Sequence, residues 1–258
     1  MSKAGHEQNR KLWNEIADIH YQHPDYRVGD FLEGWCPLKS LELNTLKDVS
    51  GKHLLHLFCQ FGMDSLAWAR RGAIVTGVDI SDRSIELAYK LRQESNINAD
   101  FIRCDVLDLI GKMDAQFDII FQSYGTLCWI SDLNKWAEIV AHYLVQGGTF
   151  FIVDDHPIIY TLMEEGTSYF ETNPQRYNNQ YDYCDREYEW KEDSIEWQHS
   201  LSDIINALIK AGLTIESLGE YNKSYYAIER DWYEKDGYFY PPDGPPPYPL
   251  LFSLKARR

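Results

Sequence analysis

From residue 53 onward the chain alternates two kinds of apolar pattern. Short, near-continuous apolar runs such as HLLHL, FDIIF and TFFIV read as strands buried on both faces, at 53–58, 74–79, 117–122 and 149–154, with a shorter one at 100–103. Between them, 63–71, 82–95 and 132–145 read as helices. Asp82 and Asp132 stand where N-caps belong, and Gly72 and Gly147-Gly148 where helices stop. Strand and helix in turn predict an α/β fold: a Rossmann-like, doubly wound, mostly parallel sheet with helices on both faces.

Ahead of this core, Leu12, Ile16 and Ile19 predict an amphipathic helix over 7–20, and 38–46 reads as a second helix. Behind it the rhythm breaks. Residues 156–199 are polar and Tyr-rich without a period; aromatics at that density pack, so a cap over the active edge is expected. HSLSDIINALIKAG then opens a helix, with Ser200 and Asp203 as a capping box and Gly212 at its end. LTIESLGEY and LLFSLKAR read as two last strands around the rigid turn YPPDGPPPYP. The expected organisation is one domain over 1–258: an N-terminal helical cap (1–50), a ligand-binding core (51–155), the cap insertion (156–199), and a C-terminal helix with closing strands (200–258).

Composition narrows the partners. With 25 basic against 40 acidic residues the net charge is −15, a field that repels phosphate backbones and anionic lipid. Neither nucleic acid nor membrane is expected as a partner, and a neutral or cationic small molecule suits the field better. The five cysteines, Cys36, Cys59, Cys104, Cys128 and Cys184, are scattered and never spaced C-x-x-C, so no metal site is expected. Without an apolar leader or an 18-residue apolar run, the expected location is cytoplasmic.

The loop after the first strand carries the first chemical signal. A dinucleotide fingerprint needs glycines for the tight turn and for close approach of the pyrophosphate. Here the loop offers Phe58, Gln60 and a single Gly62, so side chains fill the space a diphosphate needs, and NAD is disfavoured. No G-K-[ST] follows, which excludes a P-loop. A nucleoside ligand without phosphates remains, and S-adenosylmethionine fits that description. Asp79 ends the second strand, where a carboxylate can accept both ribose hydroxyls. Asp105 ends the third, where it can accept from the adenine amine while Ile80 and Val106 sandwich the ring.

HLLHLFCQFG, VTGVDIS, RCDVLDL, FDIIFQSYGTLCWISDL and LVQGGTFFIVDDHP together resemble the class I S-adenosylmethionine-dependent methyltransferases, over about residues 50–156. More narrowly they resemble a bacterial branch with L-H-L-x-C-x-F-G-x-D-[ST]-L in place of the glycine-rich motif and W-x-H-S-L before the late helix, here LHLFCQFGMDSL and WQHSL. The resemblance implies a seven-stranded sheet and a donor-binding set of His56, Phe58, Gly62, Asp79, Ile80, Asp105, Val106 and Ser123. His56 stands where such enzymes commonly place an acid. The implied reaction is methyl transfer to an oxygen or nitrogen of a small molecule. Tyr124, after the fourth strand, is a candidate to orient the reactants, and His156 in DDHP and His199 in WQHSL are candidates for the base; each histidine also reads as a plain backbone-bonded residue. A nicotinamide oxidoreductase, a protein-directed methyltransferase and a non-catalytic adenosyl-ligand binder are the competing readings.

Overall fold

The computed structural model describes residues 2–163 and 168–258. Residues 164–167, which belong to the expected cap insertion, lie outside the described residues. Seven strands form the main sheet: β1 (His53–Leu57), β2 (Ile74–Asp79), β3 (Asp100–Arg103), β4 (Phe117–Ser123), β5 (Leu144–Asp155), β8 (Thr214–Tyr221) and β11 (Leu251–Arg257). Their order is β3-β2-β1-β4-β5-β11-β8. The first five are parallel, and β11 runs antiparallel to both β5 and β8. The order reverses between β1 and β4, which opens a crevice beyond their C-terminal ends, where open α/β sheets bind ligands.

Alternation along the strands divides the core into two apolar layers. Leu55, Leu57, Ile120, Phe150 and Ile152 face α6 (Leu133–Tyr143) and α8 (Leu201–Lys210), with Trp136, Tyr143 and Leu208 fully buried. Leu54, Ile119, Phe121, Phe151 and Val153 face α4 (Met63–Arg70) and α5 (Asp82–Ser95). The capping box on α8 is present, Ser200 and Asp203 each accepting from the other's backbone.

Several local expectations shift. α1 spans Ser2–Gln22, longer than 7–20, and buries Asn9, Leu12, Ile16 and His20 along one stripe. Ser81, not Asp82, caps α5, since its side chain accepts from the Ser84 N–H. Gly147 and Gly148 do not stop α6; that helix ends at Tyr143, and both glycines lie within β5. The insertion after β5 packs onto α1. It holds α7 (Ile158–Met163) and a hairpin of β6 (Gln175–Tyr177) with β7 (Ser194–Glu196), and Asn9 grips the Ile195 backbone from both sides at 2.7 and 2.8 Å. No helix among the described residues is long and apolar enough to cross a membrane.

Candidate functional site

A cavity of about 460 Å³ lies over the C-terminal ends of β1, β2, β4 and β5, roofed by α1 and the insertion. That volume falls within the ~300–1,000 Å³ of small-molecule sites. Asp79, Ile80, Asp105, Val106, His56, Phe58, Ser123 and Tyr124 all line it. Gly62, His156 and His199 do not.

The loop between β1 and α4 takes its shape without a glycine-rich motif. Phe58, Gln60 and Gly62 have φ of 56°, 50° and 76°, so three alternate residues are left-handed, two of them against the preference of a side-chain-bearing residue. Asp79 holds the turn. Its Oδ2 accepts the Gln60 N–H at 2.9 Å and its Oδ1 the Ser81 N–H at 2.8 Å. Burial nevertheless pushes its carboxyl up to about 6, and it has no cationic partner among the described residues. Gly62 is off the cavity wall and closely packed: a Cβ there would lie 2.5 Å from the Phe101 ring.

Asp105 caps the short helical turn Val106–Asp108 by accepting from the Leu107 N–H at 2.9 Å. Its other oxygen meets His6 Nδ1 at 2.5 Å. His6, on α1, also lines the cavity, and its buried Nε2 has no partner among the described residues. His56 Nδ1 lies 2.8 Å from the Ser65 hydroxyl; burial lowers its pKa to about 3, so the ring is neutral. Nearby, the Ser123 hydroxyl reaches Asp64 at 3.5 Å, and burial raises the Asp64 carboxyl to about 6.

Two consecutive acids stand at the end of β5, and the second of them, Asp155, lines the cavity. Asp154 is fully engaged. Its carboxylate accepts from the N–H groups of Gly125, Thr126 and Leu127 and from the Thr126 hydroxyl, and so fixes the loop after β4. Asp155 lines the cavity with one contact, the Tyr225 hydroxyl at 3.4 Å, and its Oδ1 has no partner among the described residues. Burial and then the neighbouring Asp154 push the Asp155 carboxyl well above its ordinary value. Tyr225 stacks on Tyr124 with centroids 4.5 Å apart, and Tyr226 follows at 4.8 Å. Tyr124 itself is left-handed (φ 51°), and burial pushes its phenol well above the ordinary range.

The histidines named from sequence sit behind this wall. His156 Nδ1 accepts the Ile158 N–H at 3.1 Å and its Nε2 meets Glu220 at 3.0 Å. His199 Nε2 donates to the Ile130 carbonyl at 2.7 Å, which anchors the insertion to the loop after β4. Both have pKa values lowered, chiefly by burial. A further set, His20, Asp182 and Cys184, places ligand-type atoms within 4.8 Å of one another. Each is already engaged: Asp182 accepts from His20 at 2.8 Å, Trp190 at 3.1 Å and Cys184 at 3.0 Å. His20 Nδ1 in turn lies 3.0 Å from the Gln60 amide, which ties the insertion to the β1–α4 loop.

Against known proteins, the same core stands out. Residues 54–148 match the methyltransferase domain family. The architecture is the Rossmann-like methyltransferase fold. An S-adenosylmethionine-dependent methyltransferase from Clostridium acetobutylicum superposes with a TM-score of 0.60, at 15% identity, over 95% of this chain and 98% of that one. One from Methanosarcina mazei gives 0.59 at 18% identity, over 86% and 98%. Among curated sequences, the ubiquinone biosynthesis O-methyltransferase of Coxiella burnetii is 38% identical over 103 residues, 40% of this chain and 43% of that protein. That of Saccharophagus degradans is 28% identical over 135 residues, 52% and 57% of the two chains. The chain thus spans about half the length of the curated relatives it matches.

Proposed function

We propose that the protein is an S-adenosylmethionine-dependent methyltransferase that acts on an oxygen or nitrogen of a small molecule in the cytoplasm. Residues 1–50 and the 156–199 insertion would close over the pocket of a single domain. One observation carries the reading: a single cavity joins Asp79, an acid without a cationic partner among the described residues, to a second chamber of acid and tyrosines at the end of β5.

The first chamber suits an adenosyl group. Asp79 keeps lone pairs free beyond its two backbone donors, so it can accept a pair of vicinal ribose hydroxyls. Ile80 and Val106 offer apolar faces for a flat base, and His6 Nε2 beside Asp105 offers a buried nitrogen for its edge. Phe58 and Gln60 line the cavity with side chains where a diphosphate-binding loop carries glycines. When bound, the donor supplies a methyl already activated by positive sulfur, so transfer is an in-line displacement for which orientation and exclusion of water provide most of the acceleration. The walls for that are aromatic: Trp13 packs edge-on against Trp129 at 5.5 Å, and Tyr124 lies on Tyr225. For an acceptor that must lose a proton, Asp155 Oδ1 is one cavity-lining oxygen without a partner among the described residues that could take it. The O-methyltransferase names of the partial relatives support oxygen as the acceptor atom.

Calorimetry with S-adenosylhomocysteine and NAD, followed by incubation of isotopically methyl-labelled donor with a metabolite extract, tests the reading. Expected are binding of the adenosyl ligand far tighter than NAD and label in the small-molecule fraction. Equal NAD binding points to an oxidoreductase, label confined to protein to a protein-directed enzyme, and bound donor without transfer to a non-catalytic binder; each overturns the reading.

A further inference from the structure

Asp155 sits in an electrostatic position that no ion pair among the described residues answers. It is adjacent to Asp154, whose carboxylate accepts from four donors in residues 125–127 and is fixed in place by them. Among the described residues no lysine, arginine or histidine forms an ion pair with either acid. Asp155 Oδ1 is buried and unpartnered, and its Oδ2 has the Tyr225 hydroxyl at a long 3.4 Å. A buried carboxyl with an unused oxygen is a costly arrangement unless something arrives to meet it.

The surroundings say what that is. Tyr225 and Tyr226 present rings 4.8 Å apart beside the acid, and both line the cavity together with Tyr160. Ring faces attract cations through the negative face of the aromatic quadrupole. Lys39, the one lysine on the cavity wall among the described residues, is directed elsewhere: it donates to the Gly237 carbonyl at 2.7 Å and lies near the buried Glu42 and Asp64. The chain as a whole carries a net charge of −15, which steers cations inward.

We propose that the molecule to be methylated carries an organic ammonium group, separate from the accepting atom, that is held by Asp155 against the rings of Tyr225 and Tyr226. This rests on the methyltransferase reading and adds the class of molecule. An ammonium donates to Asp155 Oδ1, favours the ionised carboxylate that burial and Asp154 oppose, and lies across the tyrosine faces. A neutral alcohol meets only the hydrogen bond. A carboxylate is repelled.

The test compares phenethylamine, phenethyl alcohol and phenylacetate, which share one ring and differ in the head group. Each is titrated into wild-type protein saturated with S-adenosylhomocysteine, and into Asp155→Asn. Expected is amine affinity at least tenfold above the alcohol, no detectable phenylacetate binding, and loss of the amine preference in D155N. Affinity for S-adenosylhomocysteine should stay within threefold in that variant, which reports that it is folded. Alcohol or carboxylate binding as tight as the amine, no amine binding at all, or an amine preference that survives in D155N overturns the proposal. Failure of the donor reading shows separately, as absent S-adenosylhomocysteine binding in the wild-type protein.

Discussion

The Asp79 carboxylate accepts the backbone N–H of Gln60 at 2.9 Å, so the acid that ends β2 and the loop that follows β1 form one unit. Asp79→Ala therefore removes the proposed ribose acceptor and the fastening of the loop together. Affinity for S-adenosylhomocysteine should fall by roughly tenfold to a hundredfold, about 1.5–3 kcal/mol. Calorimetry measures it, and an unchanged affinity would place the ribose elsewhere.

Gly62→Ala should act on stability, because the residue lies off the cavity wall. The new methyl enters the left-handed region and meets the Phe101 ring at 2.5 Å. A loss of about 2–4 kcal/mol is expected from the two effects combined. Denaturant melts should register it, and Phe101→Leu in the same chain should restore part. Full stability of the single variant would contradict the packing role.

His199→Ala should lower the melting temperature while turnover per folded molecule holds. The ring donates to the Ile130 carbonyl and is absent from the cavity wall, so what is lost is an anchor of about 1 kcal/mol. Turnover that collapses at unchanged melting temperature would return His199 to the reaction.

Glu42 offers a pH test. It is fully buried, and burial raises its carboxyl from 4.5 to about 7. The fold therefore prefers the protonated form: its stabilising contribution is complete below pH 4.5 and is lost as pH rises through about 7. Glu42→Gln escapes that loss. The variant's melting temperature should gain on wild type between pH 5 and pH 8, by up to about 3 kcal/mol of stability at the upper end. A constant difference across that range would refute the assignment.

The strands of the core could be read along the chain because parallel strands buried on both faces are apolar throughout, and the cavity-lining acids Asp79 and Asp105 because they stand where those strands end. Contacts between distant segments left no such trace. His6 reaches Asp105 across 99 positions, and nothing local in AGHEQ marks it. Tyr225 and Tyr226 arrive from NKSYYAIER, a loop with no period. Asp155 was closer to view. Successive strand residues face opposite sides, so one of the two acids in DDHP had to point away from the other. Asp154 turned to the loop after β4 and Asp155 to the cavity, whereas the histidine beside them, the more familiar base, turned to Glu220.

The left-handed turns at Phe58 and Gln60 bear on when the entropy of ordering this loop is lost. Each non-glycine residue in that region costs about 1–2 kcal/mol, and the cost falls on folding, before any ligand arrives. A glycine-rich loop of the same length would relax that strain and would also wander among many shapes, so a ligand would have to freeze it at every encounter. Here the freezing is done once per folded molecule. For the proposed ligand this wall is set by folding, and arranging it draws nothing from affinity.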